Sequence, residues 1–71
     1  MMKMRLEDAM VYVLANAGHG MTTARIAQTI NHQRLHIRAD GQPVTDRQVY
    51  AAVMRNPAVF IKEGGRILLS M

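Results

Sequence analysis

Phe60-Ile61-Lys62-Glu63-Gly64-Gly65-Arg66-Ile67-Leu68-Leu69 is the stretch on which the fold turns. Two short runs rich in β-formers flank a Gly-Gly pair, the pattern of a hairpin closed by a two-residue turn. The spacing predicts a register in which Glu63 faces Arg66, Lys62 faces Ile67, Ile61 faces Leu68 and Phe60 faces Leu69. Side chains alternate along a strand, so Phe60, Lys62, Ile67 and Leu69 share one sheet face. The stem of Lys62 is expected to snorkel outward at the tip. The hairpin is assigned to residues 59–69.

Upstream of it the period changes. Leu6, Ala9, Met10, Val13, Leu14 and Ala17 recur at helical spacing and predict a helix over 5–17. No capping side chain marks its start; Glu7 and Asp8 suit its dipole, and Gly18 suits its C-terminal break. A second helix, 23–33, starts after Thr22 as N-cap, with Met21 and Ile26 placed as a hydrophobic staple. A third, 46–55, starts after a Thr45-x-x-Gln48 capping box, with Val44 stapled to Val49, and stops before Asn56-Pro57. Val49, Ala52, Val53 and Asn56 form one face of this helix. Arg47, Tyr50, Ala51, Met54 and Arg55 form the other.

Residues 34–44 follow neither period. Asp40-Gly41 marks a turn. Leu35 and Ile37 are expected to anchor the loop on the core, and Leu35 to Arg38 to pair briefly with Gln42 to Val44. Three helices followed by a hairpin is the order of a winged helix, an α+β, mostly helical fold, completed by a short strand near residues 20–21. The expected core is Leu6, Met10, Val13, Leu14, Ile26, Ile30, Val49, Val53, Phe60, Ile67 and Leu69.

The 71 residues suffice for a single domain over 1–71, and 49% hydrophobic content is enough to drive collapse. With no cysteine, disulfides and thiolate metal sites are excluded. The net charge of +4 resides wholly in residues 25–71, where seven basic side chains stand against three acidic ones. That asymmetry points to a polyanion partner. No run of apolar residues is long enough for a membrane span, and the amphipathic start does not read as a signal peptide, so a cytoplasmic location is expected.

Catalytic chemistry finds no footing. The carboxylates Glu7, Asp8, Asp40, Asp46 and Glu63 each have a local structural role as dipole partner, turn residue, helix start or cross-strand partner. Ser70 lies at the frayed end. His32 and His36 have the i, i+4 spacing of a zinc pair, but lack an acidic third ligand and read as a solvated pair. His19 lies between two turn glycines. The expectation is no enzyme, no metal, no cofactor and no small-molecule substrate.

Double-stranded DNA is the expected partner. A helix fits the major groove when its reading residues share one exposed face, as Arg47, Tyr50, Ala51 and Arg55 do. Arg47 suits guanine edges, Ala51 allows close approach, and Arg55 meets a phosphate. Tyr50 offers a hydroxyl. Lys62 and Arg66 make the hairpin a basic wing, the start of helix two at Thr22 and Thr23 presents free N–H groups, and Arg38 adds a loop contact. Against this stand Asp46 at the start of the reading helix, the long link between helices two and three, and the modest net charge. The alternative is a protein-interaction module or homodimer that uses Tyr50, Met54, Ile61 and Leu68. That alternative predicts self-association lost on Ile61→Lys.

From Met21 to Leu69 the chain resembles the HARE-type winged helix-turn-helix modules, which occur fused to restriction endonucleases and in chromatin and transcription proteins. The resemblance is carried by Met21-Thr22-Thr23-Ala24-Arg25-Ile26-Ala27, Ile30-Asn31, Leu35 and Arg38-Ala39-Asp40-Gly41-Gln42-Pro43-Val44. Gln48-Val49, Ala51, Val53, Asn56-Pro57-Ala58-Val59-Phe60 and Gly65-Arg66-Ile67-Leu68-Leu69 continue it. It implies DNA binding or an adaptor role tied to transcription regulation or restriction, and it places the contacts on Arg47, Ala51, Arg55, Lys62 and Arg66. The chain departs at Ala52, where such modules commonly carry arginine. No nuclease residues are present.

Overall fold

The structure, a computed structural model, describes residues 4–70. The chain is an α+β fold of three helices followed by a two-stranded antiparallel hairpin, in a winged-helix-like arrangement: α1 Leu6–Ala17, α2 Thr23–Gln33, α3 Asp46–Arg55, β1 Phe60–Glu63 and β2 Arg66–Leu69.

Local chemistry fixes the helix ends. Helix α1 begins one residue later than its periodicity predicts, with Arg5 as an N-cap that makes no side-chain bond, and ends at left-handed Gly18. Before α2, Thr22 Oγ1 accepts from the Arg25 N–H at 3.2 Å. Both halves of the capping box close at α3: Gln48 N–H donates to Thr45 Oγ1 and Thr45 N–H to Gln48 Oε1. These bonds satisfy donors that a helix start otherwise leaves to water. Helix α2 ends on Arg34, a non-glycine residue with a φ of 53°.

The hairpin adopts the register read from its turn: Phe60 pairs with Leu69, Ile61 with Leu68, Lys62 with Ile67 and Glu63 with Arg66. Gly64 and Gly65 both have positive φ, 57° and 78°, as a two-residue turn of matching twist requires. The third strand near residues 20–21 is a single bridge, with Met21 and Ile67 exchanging backbone bonds of 3.0 and 2.7 Å. A methyl group at Gly20 would lie 3.1 Å from Leu68 Cγ and 3.3 Å from Arg66 Cβ. Glycine is what lets this segment lie against β2.

The core gathers where the three helices meet the inner face of the hairpin. Met10, Ile26, Ile30, Val49 and Ile67 are its largest fully buried side chains. Leu6 and Leu69, expected in the core, are only partly buried and pack at its margin. Ala9, Met21, Ala27, Val44 and Ala52 are buried as well. Met21 and Val44 owe this to their staple positions, and the alanines to helix faces that approach closely.

The 34–44 loop corrects three expectations. Ile37 is 44% exposed and anchors nothing, whereas Leu35 packs against the core. Leu35 to Arg38 and Gln42 to Val44 form no strand pair; a tight turn occupies the region instead, with Gly41 N–H donating to Arg38 O at 3.0 Å. His36 is no member of a solvated pair, because its Nδ1 donates to the Met4 carbonyl at 2.6 Å. The loop's tether is Asn31, whose amide nitrogen donates to Val44 O and whose oxygen accepts from Val44 N–H, both at 2.8 Å. Asn31→Ala leaves both Val44 groups short of a partner. It is expected to destabilise the fold by about 2 kcal/mol, read as a lower urea midpoint with an unchanged m-value.

Candidate nucleic-acid interface

Positive charge left without a carboxylate partner marks the candidate site. Among the described residues only two ion pairs form, Arg5 with Glu7 at 3.7 Å and Arg38 with Asp40 at 2.7 Å. Arg25, Arg34, Arg47, Arg55, Lys62 and Arg66 are all exposed and have no carboxylate oxygen of the described residues within 4.0 Å. The cross-strand pairing of Glu63 with Arg66 does not close into an ion pair.

Helix α3 supplies the first group. Its inner face, Val49, Ala52 and Val53, is buried. The opposite face presents Arg47, Tyr50, Met54 and Arg55 to solvent, with Ala51 half-buried among them. Tyr50 is 41% exposed and Met54 60%. Ala52, where the resembling modules commonly carry arginine, is fully buried and so lies off the exposed face of α3.

Lys62 joins this group from the hairpin. Its ammonium does not extend outward at the tip; it lies over the Tyr50 ring, 5.0 Å from the centroid. The register explains the approach: Lys62 shares a sheet face with Phe60 and Ile67, both buried, so its stem runs along the side of the hairpin turned toward the helices.

Arg66 belongs to the opposite sheet face and to a second group. Its Nη1 donates to the Gly20 carbonyl at 3.3 Å. With Thr22, Arg25 and Thr29 it lines an open concavity of about 490 Å³ beside the start of α2. Thr22 is exposed and Thr23 half-buried there, and the Thr22 hydroxyl already accepts the Arg25 N–H. Comparison with family models, curated proteins and solved structures gives no match. The site therefore stands on its own geometry.

That geometry leaves Arg38 outside it. Its guanidinium bonds Asp40 at 2.7 Å and the Pro43 carbonyl at 3.3 Å, so it serves the loop. The Arg38-x-Asp40 spacing is a signal for this that the sequence carries. Arg25 is the residue that sequence reasoning passed over; it stands one turn after the Thr22 cap on the polar side of an amphipathic helix, a pattern that could have revealed it. Lys62 and Arg66, read together as one basic wing, lie on opposite sheet faces and serve different groups.

The apolar surface is split in the same way. Ile61 is 43% exposed on the outer hairpin face beside half-buried Leu68, whereas Tyr50 and Met54 lie on α3. Among the described residues no cluster of three His, Asp or Glu side chains is placed to hold a metal ion. No helix among them is long and apolar enough to cross a membrane.

Proposed function

We propose that the chain is a double-stranded DNA-binding module, with α3 in the major groove and the hairpin on the adjacent backbone or minor groove. The carrying observation is the set of exposed cations without acidic partners on three separate elements: Arg25 on α2, Arg47 and Arg55 on α3, and Lys62 and Arg66 on the hairpin. Local structure accounts for part of the remaining charge: Arg38 and Asp40 neutralise each other, and Asp46 complements the α3 dipole, while Arg34 at the C-terminal end of α2 and Glu63 at the hairpin tip stay exposed outside this set. Phosphates suit cations left unpaired, because each contact releases a condensed counterion from the duplex. Ala51 between Arg47 and Arg55 leaves the helix surface low enough for close approach to base edges. The resemblance of residues 21–69 to HARE-type modules adds support in the same direction. Under this reading the chain does no chemistry of its own.

The test is a titration of a random duplex across a salt series. Five cations meeting phosphates predict a slope of log affinity against log salt of about −4 to −5. A slope near zero, or no binding at low salt, refutes the reading.

A further inference from the structure

We propose that Tyr50 is a positioning residue whose ring face, rather than its hydroxyl, serves nucleic-acid binding by seating the Lys62 ammonium beside α3. The inference rests on the duplex-binding reading and refines how that site is built. A lysine at a hairpin tip ordinarily has a long, mobile stem and contacts phosphate wherever the tip happens to be. Here the ammonium lies 5.0 Å from the Tyr50 ring centroid, within the range in which a cation is drawn to an aromatic face.

Three features make this a built arrangement. Lys62 sits directly across from Ile67, which is fully buried, so the backbone under the lysine is fixed by the core. Tyr50 stands one position after fully buried Val49 on α3, so the ring's helix is fixed as well. No carboxylate lies within 4.0 Å of the ammonium, so the ring is its electrostatic partner among the described residues. A cation resting on a ring keeps its charge and its N–H donors available to a phosphate, which a carboxylate partner would take up. Lys62 therefore acts with Arg47 and Arg55 as part of the α3 contact set, and Arg66, on the other sheet face, acts apart from it.

The experiment compares Tyr50→Phe, Tyr50→Leu, Lys62→Gln and the Tyr50→Leu/Lys62→Gln double variant in the full chain. A random duplex at low salt is one readout. The NMR shift of the Lys62 ε-methylene in the free protein is the other. Tyr50→Phe is expected to hold duplex affinity within about twofold and to keep the upfield ring-current shift, because the ring face remains. Tyr50→Leu and Lys62→Gln are each expected to weaken binding by about three- to tenfold, and the double variant no further than Lys62→Gln alone, as coupled partners require. In Tyr50→Leu the ε-methylene shift should return to its ordinary position.

Loss on Tyr50→Phe equal to that on Tyr50→Leu overturns the proposal in favour of a hydroxyl contact. Losses that multiply in the double variant overturn it too, as does an ε-methylene shift that ignores Tyr50→Leu. A wild-type chain that binds no duplex removes the duplex reading and this role with it. The ε-methylene shift still reports whether the ring holds the ammonium, so the two failures are told apart.

Discussion

Replacing Arg47 and Arg55 together by glutamate is expected to weaken binding to a random duplex by about 100-fold or more at low salt. On a random duplex Arg47, which suits a guanine edge where one is offered, rests with Arg55 on the phosphates, so each reversal removes one favourable phosphate contact and puts a repelling charge in its place. The two residues stand eight positions apart on the exposed face of α3, so the double change alters that face over more than two turns. Stability should change little. Neither side chain belongs to the core. A glutamate at 47 lies near the helix start and gains from the dipole about what a glutamate at 55, in the last turn, loses. The salt slope should also become shallower by about two, because two fewer counterions are released. Arg38→Glu is the matched comparison: it disrupts the pair with Asp40 and should leave the salt slope nearly unchanged. A folded Arg47→Glu/Arg55→Glu protein with wild-type duplex affinity would remove α3 from the interface.

The parts of this molecule visible in the sequence are those set by a few adjacent residues. Gly64-Gly65 determines the hairpin register because a two-residue turn permits only one pairing. Thr22, Thr45 and Gln48 determine helix starts because a cap acts across three positions. What escaped prediction depends on partners brought in from elsewhere in the chain. The bonds between Asn31 and Val44 span thirteen residues, and no local pattern announces them. His36 finds the Met4 carbonyl 32 residues away. Ile37 misled because an apolar residue in a loop reads as an anchor until the loop's path is known. The same holds for the candidate site. The exposed face of α3 followed from helical period alone. Strand alternation puts Lys62 on its sheet face, yet where its ammonium goes depends on how α3 packs beside β1. Arg66, one strand away, turned instead to Gly20 through the Met21–Ile67 bridge, which a sequence pattern hints at but does not fix.

Ile67→Ala is expected to cause the largest loss of stability of any single truncation considered, about 2–5 kcal/mol. Ile67 is 1% exposed, and its position is where hairpin, bridge segment and helices are joined. Its backbone exchanges both bonds with Met21, and across the strand it faces Lys62. Alanine keeps those backbone bonds and leaves a cavity beneath them. Native stability scales at roughly 0.05–0.15 kcal/mol per residue, so a chain of this length holds about 4–10 kcal/mol in total. The loss is therefore a large share of the whole. With about 4–8 °C of melting temperature per kcal/mol in a domain this small, the circular-dichroism midpoint should fall by roughly 8–40 °C. Leu68→Ala tests the explanation on the same strand. Leu68 is half-buried on the opposite sheet face, and its truncation should lower the midpoint by less than half as much. If the two variants melt together, the hairpin is not fixed through its inner face. The cavity is also expected to loosen the backbone beneath Lys62. At temperatures where Ile67→Ala remains folded, its duplex affinity should therefore fall toward that of Lys62→Gln, because the ammonium reaches Tyr50 only while the core holds β1 in place.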